Sequence, residues 1–186
     1  MEGVEEKEMS PVLNDSTRMV SGWPLALFRI TFGLMYLNMA LQKAPWITGP
    51  EGKPYGWLYG YIWKEINHPT FGWYTAFLKG VVLPNFGLFG LMSFLTEMAL
   101  GVALVLGILI PLAGIGGAFW MVNIMLGSYS IPGEWGWIWM LLIAPQAVFA
   151  FSGAGRVLGV DAWLEPLLRQ RAETGMGLAR LLRYAS

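Results

Sequence analysis

One carboxylate inside an apolar run constrains this chain more than any other feature. Residues 93–107 read SFLTEMALGVALVLG, with Glu97 in the middle of a longer hydrophobic segment. Hydrocarbon does not solvate a carboxylate, and an acid at the centre of a bilayer costs about 2.5–3.5 kcal/mol on the mildest insertion scales. Glu97 must therefore be protonated, paired, or set against a polar cavity. Ser93 and Gly101 stand one helical turn to either side and share its face. Small residues there let a second helix come close. The rest of the chain is read as the source of partners for this acid.

Composition agrees with a bilayer environment. Charged residues make up 13% of the chain, hydrophobic residues 55%, and mean hydropathy is +0.51. Soluble domains carry roughly a quarter charged residues. The 10 Trp, 7 Tyr and 10 Phe gather near the ends of apolar runs, as in the aromatic belts at membrane interfaces. Formal net charge is 0, so no basic excess argues for nucleic acid. Cysteine is absent, which excludes disulfides, thiol catalysis and Cys-bound metal centres within the chain.

The pattern predicts four membrane-spanning helices. Residues 1–22 are polar and acidic in bias, without the basic start and apolar core of a secretory signal, and read as a tail before an uncleaved first span. That span covers residues 23–46, bracketed by Trp23 and Trp46, with Pro24 in its first turn. Arg29, Tyr36 and Lys43 recur at intervals of seven and so share one stripe. Lys43, near the end of its run, is expected to snorkel to the interface. Residues 48–83 form a long connection. Its segments WLYGYIWKEI and FGWYTAFLKGVVL are too short to span and read as amphipathic stretches in the outer interface. The lone histidine, His68, precedes Pro69 in a loop and has no second ligand at helical spacing, so no metal site is expected. The second span covers 86–110, and Pro111 marks a tight turn into the third, 111–129. That third span carries Ala113, Gly114, Gly116 and Gly117 for close packing, and Asn123. The fourth covers 135–152, where Pro145 is expected to kink the helix beside Gln146.

Residues 153–186 change character. Asp161 reads as an N-cap for AWLEPLLRQRAE. Leucines and Trp163 oppose Arg169, Arg171, Arg180 and Arg183, as in basic amphipathic helices on an anionic lipid face; a coiled-coil partner helix is the alternative. The organisation expected is a polar tail (1–22), a four-helix membrane domain (23–152) and an amphipathic tail (153–186). Basic residues favour the side holding both termini, which is expected to be cytoplasmic in a multi-pass plasma-membrane protein, with the aromatic loop external.

At 1.5 Å per residue, Tyr36, Glu97 and Asn123 fall about 18–20 Å from the cytoplasmic face, and Arg29 and Gln146 about 9 Å. Each span thus places a polar residue at one of two levels, which points to a shared interior. Arg29 and Glu97 differ by about 10 Å in depth, which two long side chains nearly close; Lys43 approaches Glu97 from the outer side by a similar reach. A buried pair that fixes helix register is one reading. A site for a polar-headed lipophilic ligand such as a quinone, or for protons, is the other.

Three stretches resemble the DoxX/DoxD-like membrane proteins. LFRITFGLMYLNMALQKAPW is similar to their first span, TEMALGVALVLGILIPLAGIGGAFWMVN to their second and third, and GAGRVLGVDAWL to their closing motif. The matches cover residues 27–43 and 93–164. The resemblance implies a four-helix bundle with Arg29, Lys43, Glu97, Arg156 and Asp161 as polar signature. It also implies kinship to the small membrane subunit of thiosulfate:quinone oxidoreductase, which passes electrons from thiosulfate to a membrane quinone. No thiosulfate site carries over, and without cysteine any redox centre must come from a second subunit or a diffusible quinone. The expected function is a membrane subunit of a quinone-linked oxidoreductase, embedded in lipid and bound to a partner subunit. A structural docking subunit and a small-solute or proton carrier are the alternatives.

Overall fold

The computed structural model describes residues 22–173, which form helices with no strand among them. The helices are α1 (Trp23–Gln42), α2 (Leu58–Asn67), α3 (Gly72–Phe77), α4 (Phe86–Leu106), α5 (Ile110–Ser128), α6 (Ile138–Phe151) and α7 (Asp161–Glu173). A π-helical turn at Leu78–Val82 follows α3, and a 3-10 turn at Ala154–Arg156 follows α6. Three helices, α1, α4 and α5, are long and apolar enough to cross a membrane; α6 is apolar but has 14 residues. They expose large apolar side chains such as Leu95, Phe119 and Phe151 on their outer faces. The segment 1–21 and the arginines 180 and 183 lie outside the described residues, as do the side chains of Arg169 and Arg171.

The four long apolar helices pair as α1 on α4 and α5 on α6, with α4 against α5 joining the pairs. Missing side chains allow this. A Cβ on Gly33 of α1 would press on the backbone of Gly101 and Val105 in α4. A Cβ on Gly114 of α5 would stand 2.6 Å from the Gln146 carbonyl and 2.7 Å from the Ala150 nitrogen in α6. Both are backbone contacts, the close approach that small residues permit between apolar helices. Gly116, by contrast, faces outward with only Leu100 near it.

The connection between α1 and α4 is a helical hairpin. Ile62, Ile66, Tyr74, Leu78 and Val82 of α2, α3 and the following turn build a second core beside the bundle together with Tyr55 and Phe86. Tyr55 at φ +69° opens the way into α2.

The opposite end of the bundle is closed by the turn after α6. Gly107 ends α4 in the left-handed region and Leu109 follows at φ +49°. The freed N–H groups of Leu109 and Ile110 donate to the two carboxylate oxygens of Asp161 at 2.7 and 2.9 Å. Asp161 is itself the first residue of α7, and it caps α5 as an anion at a helix N-terminus. The sequence had suggested a cap for its own helix; the α4–α5 turn, which lacks any side-chain cap of its own, claims the carboxylate instead.

Candidate functional site

The polar residues expected to share one interior separate into three groups. Arg29 belongs to the closing turn. Its Nη1 donates to the Ala154 carbonyl at 2.7 Å and its Nη2 to the Leu158 carbonyl at 2.9 Å. The pairing of Arg29 with Glu97 therefore does not form, because two carbonyls take its Nη1 and Nη2 at its own depth, while its buried Nε keeps no partner. Arg156 is exposed and pairs with Glu165 at 2.6 Å, so this member of the closing motif does not enter an interior site.

Tyr36 and Gln146 make the second group. Gln146 Nε2 donates to the Tyr36 hydroxyl at 3.1 Å, and that hydroxyl donates to the Gly117 carbonyl at 3.3 Å. Both side chains are fully buried. They tie α1, α5 and α6 together.

The third group surrounds Glu97. Lys43, which the sequence placed at the interface, turns inward: both side chains are buried and the Lys43 Nζ pairs with Glu97 Oε1. Trp120 Nε1 donates to the same oxygen at 3.2 Å, and Glu97 Oε2 has no partner. The Lys43 ammonium also stands 5.1 Å from the centre of the Trp57 ring. Trp57 is the residue before α2, so the cation–π contact ties the hairpin to the pair.

Beside this pair lies a cavity of about 400 Å³ between the α2–α3 hairpin and the bundle. Lys43, Glu97, Trp120, Glu65, Asn123 and Trp139 are among its lining residues, with an apolar remainder that includes Met39, Leu78, Phe89 and Met121. Tyr74 donates to the Asn123 side-chain oxygen at 3.1 Å. Trp139 is buried and its Nε1 has no acceptor. Ligand pockets of this size are typically apolar with a few placed polar groups.

Glu65 was missed in the sequence, where WLYGYIWKEI was read only as an amphipathic stretch. The signal was present: Glu65 follows Tyr61 by four and Leu58 by seven, which puts an acid on the apolar face of α2. It is buried there with Ile62 and Ile66. Ser128 donates to its Oε1 at 2.8 Å, and burial pushes its carboxyl up to about 7.

Comparison with protein-family models, curated proteins and solved structures finds no match to this chain.

Proposed function

We propose that this chain is the membrane subunit of a quinone-linked oxidoreductase of the DoxX/DoxD-like kind, and that its cavity holds a quinone headgroup. The observation that carries the reading is the combination of an apolar cavity of about 400 Å³ with a buried Lys43–Glu97 pair in its wall. A buried pair adds little net stability over apolar packing, so its presence beside a cavity favours a role in binding. A quinone presents carbonyl acceptors, and the quinol presents hydroxyl donors. Lys43, Trp139 and Glu97 belong to the cavity wall; Trp139 Nε1 and Glu97 Oε2 are sealed within it without a partner, so in this reading the headgroup engages them by parting the wall, Lys43 and Trp139 as donors and Glu97 as acceptor. The chain has no cysteine and so carries no thiol chemistry of its own, and in this reading a partner subunit supplies the electrons.

The same reading makes α6 a fourth span and places both termini in the cytoplasm. Its support is that α6 runs from the cavity, where Ile138 lines the wall, to Ala154 beside Arg29 near the start of α1.

The test is a thermal melt of the purified protein with decylubiquinone. Ligand at a hundred times its Kd should stabilise the fold by about 2.7 kcal/mol, a rise in Tm that Glu97→Gln removes. An unchanged wild-type Tm at saturating decylubiquinone would end the quinone reading.

A further inference from the structure

The far wall of the cavity carries a second acid that the Lys43–Glu97 pair does not explain. Glu65 is buried, and among the described residues no basic side chain pairs with it. Its carboxyl lies flat against Gly127 of α5, where a Cβ would stand 2.5–2.8 Å from the carboxyl carbon and both oxygens. The glycine thus makes the space in which the acid sits.

A chain of hydroxyl groups leads outward from it. The Ser128 hydroxyl stands within hydrogen-bond reach of both the Glu65 carboxyl and the Tyr61 hydroxyl, and its one hydrogen serves either. Tyr61 donates to Glu134 at 3.3 Å, and Glu134 is exposed on the loop between α5 and α6. Tyr61 also lines a second, outer groove with Glu51 and Lys64, so it stands between the cavity and the surface.

We infer that Glu65 is a proton-exchanging group of the cavity, connected to solvent through Ser128, Tyr61 and Glu134, so that the cavity suits a ligand whose bound forms differ by a proton. The ligand's identity rests on the proposed quinone site; the proton exchange does not. The step balances without any redox partner. One proton enters at Glu134, each hydroxyl passes on its own hydrogen and receives another, and the Glu65 carboxylate becomes a carboxylic acid.

The surroundings of Glu65 raise its carboxyl towards neutrality. Tyr61 faces it from α2, Tyr74 from α3 and Ser128 from α5, while Glu134 on the following loop meets Tyr61. Lys64 and Lys79, on α2 and on the turn packed against it, are exposed, and Lys43 is committed to Glu97 across the cavity. Removal from water is thus opposed by one hydroxyl donor only, and the carboxyl titrates near 7 rather than at its ordinary 4.5.

Infrared titration of the full chain in lipid nanodiscs tests this. The carbonyl band of a protonated carboxyl should persist up to about pH 7, be lost above it, and be missing in Glu65→Gln. If that variant fails to fold, Gly127→Ala reports the same group, because the added methyl displaces the carboxyl and shifts the midpoint. In deuterated buffer, Tyr61→Phe should slow the isotope shift of the band. A midpoint at the ordinary glutamate value, or a neutral-range band that survives in Glu65→Gln, overturns the assignment. An unchanged exchange rate in Tyr61→Phe overturns the path. If decylubiquinone gives no thermal shift while the band behaves as expected, the quinone site fails and the proton-exchange group stands.

Discussion

The Lys43–Glu97 pair shows what a single buried ion pair demands. Removing one partner strands the other charge, at about 3–5 kcal/mol, whereas replacing both with apolar residues of similar size is often neutral. Lys43→Met should therefore destabilise the protein by about 3–5 kcal/mol in denaturant titration, and Lys43→Met/Glu97→Leu should recover most of that loss. If the pair serves the ligand, the double variant should regain stability without regaining the decylubiquinone shift. A double variant that stays as unstable as the single one would mean that the pair is needed for the packing of α1 on α4. The need for a partner was legible from one acid in an apolar run. Its identity was not, because depth along a helix left Arg29 and Lys43 at comparable reach. Tertiary structure decided between them: the turn after α6 occupies Arg29, and Trp57 before α2 folds over Lys43. Glu65 escaped for a related reason. Nothing local says that the apolar face of a short helix will be covered by a glycine on another helix.

At the scale of elements, apolar runs and their small residues announced α1, α4 and α5 within a few residues, since length and hydropathy dominate there. The helix ends were less legible. Residues 107–109 are apolar enough to continue a span, but Gly107 and Leu109 adopt left-handed backbone and break the chain into two helices. What holds that break is distant in sequence. Asp161 accepts both freed N–H groups of the α5 start, and its own N–H donates to the Gly107 carbonyl at 2.9 Å. The closing motif is thus a cap for another element, fastened again by Arg29 to Ala154 and Leu158. Asp161→Ala leaves two buried or half-buried donors without a partner, and should cost about 1–3 kcal/mol. Asp161→Asn, which keeps one acceptor, should cost less. Thermal melts of the two variants check the order; equal and negligible losses would show that solvent or lipid headgroups replace the carboxylate without penalty.

For the whole molecule the open question is whether α6 crosses the bilayer. Its 14 residues rise about 21 Å, against roughly 30 Å of hydrocarbon. Length alone therefore argues against a span. Position argues for one. α1 enters beside Arg29 and leaves at Lys43, α4 returns from Phe86 to the Gly107 turn, and α5 climbs back to Ser128 beside Glu65. α6 then begins at the cavity wall with Ile138 and ends at the carbonyls that hold Arg29. The segments flanking it, 135–137 before it and Ala154–Arg156 after it, are turns that lengthen the path at either end. Two exposed positions distinguish the topologies. Lys53 lies on the connection between α1 and α2, and Arg156 lies after α6. If α6 crosses, the two positions are on opposite faces; if it does not, both are on the same face. Because the chain has no cysteine, Lys53→Cys and Arg156→Cys each introduce a single reactive thiol. In intact cells a membrane-impermeant maleimide should label Lys53→Cys and leave Arg156→Cys unlabelled until the membrane is permeabilised. Labelling of both in intact cells would leave three crossings and end the four-span reading.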